Sequence, residues 1–238
     1  MASIGILGGM GPRATQYFVG ELLNEFENAA HPISDQHYPD MFVHFACSNP
    51  DRTAAIEADP TGLCKLLREQ LDQLEQAGCN FLMMPCITAY AVLGPIGASG
   101  ALVNVPDLIS RRLAMLGPGP FGVLSTRGTR RLLGSKRISF GSTEKLLFLD
   151  GSQEEYLMQI IYKDLKSGAT TREAAIGGML SLYEALRASG ASHVIAGCTE
   201  VEMVLAPDLR CPDGLVCPMR CAAEWIVSQL IERPNEAS

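Results

Sequence analysis

The sequence of 238 residues contains no apolar run close to the roughly 20 residues that a helix needs to cross a bilayer. It shows neither the basic leader nor the cleavage site of a secreted protein, so we expect its eight cysteines to lie in a reducing cytosol rather than in a disulfide framework. The net charge of −7 argues against nucleic acid and anionic membranes as partners. A protein of this charge that binds an anion must gather its cations locally.

Several site motifs are also missing. There is no C-x-x-C pair, which argues against a zinc ribbon or a thioredoxin-type dithiol. Cys211, Cys217 and Cys221 cluster near the end, but no histidine follows them, and we predict no metal site. The stretch Gly8–Pro12 resembles the start of a dinucleotide-binding loop but departs from G-x-G-x-x-G, so it is a weak nucleotide signal. Its exposed amides at a helix start are equally suited to a substrate carboxylate.

Short apolar, β-rich runs alternate with amphipathic helices, a pattern typical of parallel α/β proteins. We predict helices over Thr61–Ala77 and Thr171–Ser189, the second opened by a capping box from Thr170 to Glu173, and a last helix over Ala222–Ile231. The predicted strands are Ser3–Leu7, Met41–Ala46, Phe81–Met84, Leu102–Val105, Phe121–Leu124, Lys145–Leu149, His193–Ala196 and Leu215–Cys217.

The two halves of the chain repeat the same spacings. The matching offsets are six residues from Gly5 to Gly11 and from Gly122 to Gly128, eight from Gly78 to Cys86 and from Gly190 to Cys198, and twenty from Cys86 to Pro106 and from Cys198 to Pro218. Any βα repeat gives similar glycine and helix spacings, but it does not explain a cysteine at the same strand end in both halves.

We therefore predict two pseudo-symmetric, four-stranded parallel α/β domains with the active site in the cleft between them. The first comprises residues 1–110 plus 221–238 and carries Cys86, and the second comprises residues 111–220 and carries Cys198. Ligands of open parallel sheets bind beyond the carboxyl ends of the strands, so we expect the two cysteines on opposite walls of one cleft.

Two facing thiols suit the inversion of an α-carbon, in which a proton leaves one face while another arrives at the opposite face. One sulfur must start as thiolate and its partner as thiol. Cysteine suits both roles because nearby positive charge or a helix N-terminus can lower its ordinary pKa of about 8.5. We expect Thr88 and Thr199 to cap the helices that follow the two cysteines.

Five segments together resemble the aspartate/glutamate racemases that use no pyridoxal phosphate, and the aspartate racemase branch most of all. The resemblance covers nearly the whole chain. The segments are Gly5-Ile6-Leu7-Gly8-Gly9-Met10-Gly11-Pro12, Asn49-Pro50-Asp51-Arg52-Thr53, Met84-Pro85-Cys86-x-Thr88-Ala89, Ile161-Tyr162 leading to Lys166-x-Gly168, and Gly197-Cys198-Thr199-Glu200.

The resemblance implies an α/β racemase that works without a cofactor, in the cytoplasm and as a homodimer. It implies that Cys86 and Cys198 are the acid and base, and that Arg52 and Lys166 bind the distal carboxylate of an acidic amino acid, aspartate above all. The other substrate-binding positions that it implies, around the α-carboxylate and the amino group, are Met10, Gly11, Thr88, Thr126 and Thr199.

Ile87 and Tyr90 depart from the family pattern, which has Cys-Asn-Thr-Ala-His where this chain has Cys86-Ile87-Thr88-Ala89-Tyr90. Ile87 replaces a side-chain amide by apolar bulk beside the substrate. This either tightens the pocket around a shorter substrate, favouring aspartate over glutamate, or weakens binding in general.

Two other interpretations stay open. The same scaffold could serve a glutamate or hydantoin racemase, or a cysteine-dependent isomerase or decarboxylase, although Arg52 with Lys166 favours a dicarboxylate. A non-catalytic ligand-binding or redox-sensing protein is the alternative from another class, against which the intact cysteines and cationic residues argue.

Overall fold

The computed structural model describes residues 2–93, 101–134, 139–140, 145–206 and 211–232. Its strands are β1 (Ile4–Gly8), β2 (Met41–Phe45), β3 (Phe81–Met83), β4 (Phe121–Ser125), β5 (Leu146–Phe148), β6 (His193–Gly197) and β7 (Leu215–Val216). Its α-helices are α1 (Pro12–Ala30), α2 (Arg52–Glu57), α3 (Thr61–Gln76), α4 (Ile87–Leu93), α5 (Val105–Leu116), α6 (Arg127–Gly134), α7 (Gly151–Gln159), α8 (Arg172–Ala188), α9 (Thr199–Leu205) and α10 (Pro218–Glu232). A π-helical turn, Ile160–Leu165, follows α7. No helix in the described ranges is long and apolar enough to cross a membrane.

The strands form two parallel sheets, in the orders β2-β1-β3 and β5-β4-β6-β7. Every residue of β1 and of β4 is buried, as expected for parallel strands that are covered on both faces. These two strands also hold equivalent places, because each lies between the next two strands along the chain. The two-sheet α/β architecture predicted from the repeated spacings is therefore confirmed.

The predicted strand Leu102–Val105 is wrong, since it is reduced to a single parallel bridge between Leu102 and Leu82. The first sheet therefore has three strands rather than four. The chain cannot extend further, because the Asn104 side chain accepts a hydrogen bond from the Asp107 amide and caps α5, with Pro106 in its first turn.

The helices predicted over Thr61–Ala77 and Thr171–Ser189 are present within one residue at each end, as α3 and α8, whereas the last helix, predicted over Ala222–Ile231, begins four residues earlier, at Pro218. The capping box at the start of α8 is not: Thr171, rather than Thr170, is the N-cap residue, and its hydroxyl accepts from the Ala174 amide. The Thr170 amide instead donates to the Asp164 carbonyl at 3.0 Å, which holds Thr170 outside the helix.

The last helix, α10, packs against α1 and α5 and so returns to the first sheet, as predicted. Its start is fixed by a buried carboxylate on α9. Glu202 accepts hydrogen bonds from the Met219 amide at 2.8 Å and the Arg220 amide at 3.0 Å, two donors that the helix itself cannot satisfy. The division into residues 1–110 plus 221–238 and residues 111–220 stays a prediction.

Gly128, at the start of α6, lies close to two helices from the first half of the chain. A Cβ atom at this position would lie 2.9 Å from Thr53 Oγ1, 3.0 Å from Thr88 Cγ2 and 3.1 Å from Thr53 Cα. Two of these neighbours lie on α2 and one on α4, so a side chain here would force α6 away from both helices.

Replacing Gly128 by alanine is therefore expected to destabilise the protein by about 1–3 kcal/mol, the usual range for overpacking. Gly134 on the same helix is a matched control, because a Cβ there meets nothing within 4 Å. Gly134→Ala should change the free energy of unfolding by less than about 1 kcal/mol, in the stabilising direction. Urea unfolding of both variants measures the difference, and equal midpoints would show that the Gly128 contact is not tight.

Candidate active site

Both predicted catalytic cysteines follow the carboxyl end of a strand and stand directly before a helix. Cys86 lies three residues beyond β3 and precedes α4, and Cys198 follows β6 as the N-cap residue of α9. The expected caps are wrong: Thr88 and Thr199 lie within the first turns of these helices. Each sheet thus presents one buried cysteine beyond the carboxyl end of a strand, which is β3 in the first sheet and β6 in the second.

A hydrogen bond joins the two cysteine segments directly. The Thr199 hydroxyl, next to Cys198, donates to the carbonyl of Pro85, next to Cys86, at 3.1 Å. Because Thr199 does not cap α9, its hydroxyl is available to link the carboxyl ends of the two sheets.

The two cysteines line one cleft of about 260 Å³, counted to its open mouth. That volume includes open solvent, and the space enclosed between the walls is only about 10 Å³, roughly room for one water molecule, so the cleft is nearly closed in this structure. The lining residues are Arg52, Cys86, Ile87, Thr88, Thr126, Tyr162, Lys166, Cys198, Thr199 and Glu200.

The Asn49–Thr53 motif folds into a rigid support for Arg52. Asn49 exchanges two hydrogen bonds with Gln70 of α3, at 2.8 and 2.9 Å. Asp51 caps α2 by accepting from the Ala54 amide at 2.9 Å. Arg52 therefore begins a short helix whose entry is fixed on both sides.

The Arg52 guanidinium is buried, and backbone carbonyls orient it. Nη2 donates to the Met10 carbonyl at 2.7 Å and Nη1 to the Pro50 carbonyl at 3.2 Å. The pKa of Arg52 is raised, because the lowering effect of burial is outweighed, chiefly by the charge of a Cys86 thiolate, with Asp51 and a hydrogen bond to the Cys86 sulfur adding to it. The Arg52 guanidinium thus lies in the cleft beside Cys86.

Lys166 reaches the cleft from the π-helical turn that ends at Leu165. Its amide donates to the Ile161 carbonyl at 3.0 Å, five residues back, which is the π-type bond. The turn sets the Lys166 ammonium 4.3 Å from the centroid of the Tyr162 ring. Single π-turns of this kind are frequent at functional sites.

Tyr162 ties this turn to the arginine motif. Its hydroxyl donates to Thr53 Oγ1 at 3.0 Å and lies 3.4 Å from Asp51 Oδ1. Burial raises the pKa of Tyr162 to about 12, against the lowering effect of the Lys166 charge. Tyr162 therefore remains a neutral hydroxyl that connects the supports of Arg52 and Lys166.

Cys198 lies beside an anion, the Glu200 carboxylate, whereas Cys86 lies beside a cation, the Arg52 guanidinium. Its sulfur donates to Glu200 Oε2 at 2.9 Å, and Lys166 Nζ lies 3.9 Å from Glu200 Oε1. Burial raises the pKa of the Cys198 thiol well above its ordinary value, and the Glu200 charge raises it further, although Lys166 opposes both. In this arrangement Cys198 is a protonated thiol.

Two of the three predicted threonines, Thr88 and Thr126, meet Thr129 in a hydroxyl cluster between α4 and α6. Thr88 Oγ1 lies 2.9 Å from Thr129 Oγ1 and 3.2 Å from Thr126 Oγ1. Tyr90, which stands where the family has histidine, instead supports the cysteine segment from behind. Its hydroxyl accepts from the Met84 amide at 3.2 Å.

Eight of the ten residues predicted from the sequence to form the site line the cleft, and Met10 and Gly11 lie one contact behind its wall. Met10 supplies the carbonyl that holds Arg52, and a Cβ at Gly11 would come within 2.6 Å of Glu200 Oε1. Tyr162 and Glu200 line the cleft but were not predicted as site residues. Both belong to the motifs named above, which was the available signal.

The cysteines near the end of the chain lie apart from this cleft. Cys217 and Cys221 line a separate hollow of about 730 Å³, which shares no lining residue with the cleft. A hydrogen bond from Cys217, helped by the charge of Arg220, lowers the pKa of Cys211, although partial burial opposes the shift.

Comparison with known proteins agrees with this geometry. The family model for Asp/Glu/hydantoin racemases matches residues 7–226. The broad specificity amino-acid racemase RacX of Bacillus subtilis (strain 168) is 25% identical over 206 residues, which are 85% of this chain and 87% of RacX. The chain therefore belongs to the Asp/Glu/hydantoin racemase family, a family of amino-acid racemases.

Solved structures share the fold at low sequence identity. The aspartate racemase of Picrophilus torridus is 19% identical with a TM-score of 0.77, over 99% of this chain and 97% of that one. An aspartate racemase homologue from Pyrococcus horikoshii OT3 is 18% identical with a TM-score of 0.66, over 98% of this chain and 100% of that one. The glutamate racemase of Francisella tularensis, solved with D-glutamate, is 13% identical with a TM-score of 0.62, over 100% of this chain and 84% of that one.

The protonation of Cys198 can be tested by ultraviolet absorbance of thiolates at 240 nm. Because its pKa is well above the ordinary value, Cys198→Ser should leave the absorbance between pH 7 and pH 8 unchanged. Cys211→Ser is the comparison, because the pKa of Cys211 is lowered, and it should reduce the absorbance over the same range. A comparable loss in the Cys198 variant would show that Cys198 is ionised in the free protein.

Proposed function

We propose that the protein interconverts L-aspartate and D-aspartate without a cofactor, by a two-base mechanism that uses Cys86 and Cys198. One observation carries the proposal: the thiols of two touching segments line the same small cleft, together with the buried Arg52 and the partly buried Lys166. A small anionic substrate between the sulfurs has a base on one side of its α-carbon and an acid on the other.

The neighbours of the two sulfurs assign their starting roles. Cys86, beside the Arg52 guanidinium, begins as thiolate and removes the α-proton from one face. Cys198, hydrogen-bonded to Glu200, begins as thiol and delivers its proton to the opposite face. After this step Cys86 is a thiol and Cys198 is a thiolate, and the reverse reaction follows the same steps with the two roles exchanged.

The cations account for an acidic substrate in a chain of net charge −7. Arg52 and Lys166 bind the distal carboxylate, the first through its planar donor array and the second as a point charge. The hydroxyls of Thr88, Thr126 and Thr199, with the Met10–Gly11 backbone, surround the α-carboxylate and amino group.

Ile87 favours aspartate over longer acids, since its buried side chain fills space in a cleft that is already small. Two relatives of known structure described as aspartate racemases or their homologues support this choice. The relative named as a broad specificity racemase makes a panel of amino acids the necessary assay. A homodimer in the cytoplasm also belongs to the proposal, and light scattering of the purified protein tests the dimer.

Replacing either Cys86 or Cys198 by alanine is expected to lower kcat on aspartate at least about 100-fold, the lower range for removing a general acid or base. Chiral chromatography with mass detection of L-aspartate, incubated without added cofactor in deuterated water, measures inversion and, through deuterium uptake, exchange of the α-proton. Cys64→Ala, on the helix α3 outside the cleft, is the control and should keep full activity. Undiminished turnover in the Cys198 variant would rule out two bases.

The role of Ile87 can be tested by restoring the family's asparagine. Ile87→Asn should raise kcat/KM for glutamate relative to aspartate, because it frees volume and adds an amide near the substrate. Ile87→Val frees volume without the amide and separates the two effects. Thermal unfolding is measured in parallel, since a polar group at this buried position costs roughly 1–3 kcal/mol. An unchanged ratio in both variants would remove Ile87 as the cause of selectivity.

A further inference from the structure

Glu200 is buried with one of its two carboxylate oxygens unused. Its side chain is 7% exposed, and Oε2 accepts the hydrogen bond from Cys198. Oε1 is fully buried and has no hydrogen-bond partner within the described ranges. Buried polar atoms of this kind are nearly always satisfied, so Oε1 points to a group that the protein itself does not supply.

The nearest cation does not satisfy this oxygen. Lys166 Nζ is 3.9 Å away, beyond the range of a hydrogen bond, and it also faces the Tyr162 ring at 4.3 Å. Lys166 therefore compensates the charge of Glu200 without filling its hydrogen-bonding capacity.

A second unsatisfied atom in the same cleft has the opposite character. Arg52 Nε is a buried donor with no acceptor among the described residues. The cleft thus offers one unused acceptor on an anion and one unused donor on a cation. An amino acid in its zwitterionic form supplies the complement of both.

We propose that Glu200 Oε1 binds the α-ammonium group of the substrate, and that Lys166 passes from Glu200 to the substrate's distal carboxylate. This inference rests on the proposed function. The ammonium group is bonded to the α-carbon, and Glu200 holds the Cys198 sulfur with its other oxygen. Glu200 therefore sets the α-carbon beside the sulfur that exchanges its proton.

Because Lys166 leaves Glu200 when the substrate binds, tight binding requires an ammonium group that takes the place of Lys166 beside Glu200. Succinate carries the same two carboxylates as aspartate but no ammonium group. Its entry draws Lys166 away and leaves the Glu200 carboxylate buried without a cation, which is strongly unfavourable. Selectivity for aspartate over succinate thus reports directly on Glu200.

Calorimetric titration of equilibrated DL-aspartate and of succinate tests the proposal. The wild-type protein should bind aspartate more tightly than succinate. Glu200→Gln keeps the size of the side chain but removes its charge, and should weaken aspartate binding roughly 10- to 100-fold, the range for a charged hydrogen bond. Succinate binding should stay unchanged or become tighter. A preserved preference for aspartate in this variant overturns the proposal.

Two further variants act as controls. Glu69→Gln removes the same charge from an exposed position on α3, where Glu69 pairs with Lys65, and should change neither affinity. Glu200→Asp keeps the charge on a shorter side chain and should retain part of the preference for aspartate. If neither Glu200 variant folds, the wild-type protein still decides, because equal affinity for succinate and aspartate overturns the inference.

The outcomes separate this inference from the proposed function. If the wild-type protein prefers aspartate, the Glu200→Gln variant loses this preference, and no racemisation is observed, the ammonium site is supported and the proposed activity is refuted. If the wild-type protein racemises aspartate but Glu200→Gln keeps the same preference for aspartate over succinate, the proposed activity is supported and the ammonium site is refuted.

Discussion

The ion pair between Lys166 and Glu200 lies in a cleft that also holds the Arg52 guanidinium and two thiols. A charge removed from water costs several kcal/mol unless nearby groups compensate it, so none of these side chains is stable there alone. Backbone carbonyls hold Arg52, Cys198 holds Glu200, and the Tyr162 ring faces Lys166. Arg52 is held by carbonyls from the first half of the chain and the Lys166–Glu200 pair by side chains from the second, and the hydrogen bonds Tyr162–Thr53 and Thr199–Pro85 bring the two groups together at the cleft.

Much of the fold follows from the sequence because the repeated spacings reflect repeated structure. The central strands β1 and β4, the cysteines at the strand ends and the helices that begin near Pro106 and Pro218 all occupy equivalent places. The missing fourth strand of the first sheet shows the limit. The residues at Leu102–Val105 have strand propensity, but the cap at Asn104 commits the chain to a helix after one bridge.

The site was predictable where a motif carries its chemistry within a few residues, as at Arg52 and Cys86. Glu200 was missed because its importance comes from contacts with Cys198 and Lys166, and the second of these depends on tertiary packing. Tyr162 was missed because a π-helical turn, whose bonding pattern sequence periodicity does not show, sets where its ring meets Lys166. The threonines expected as caps instead join neighbouring elements, since their hydroxyls reach Pro85 and Thr129.

The two sheets repeat the same strand order, yet their cysteines have neighbours of opposite charge, Arg52 beside Cys86 and Glu200 beside Cys198. Free enantiomers have identical free energies, so the equilibrium constant of any racemisation in water is unity. The Haldane relation then makes kcat/KM the same for both enantiomers, whatever the site looks like. The unequal electrostatic surroundings of the two thiols can therefore make kcat and KM differ between the two enantiomers, but only in the same proportion.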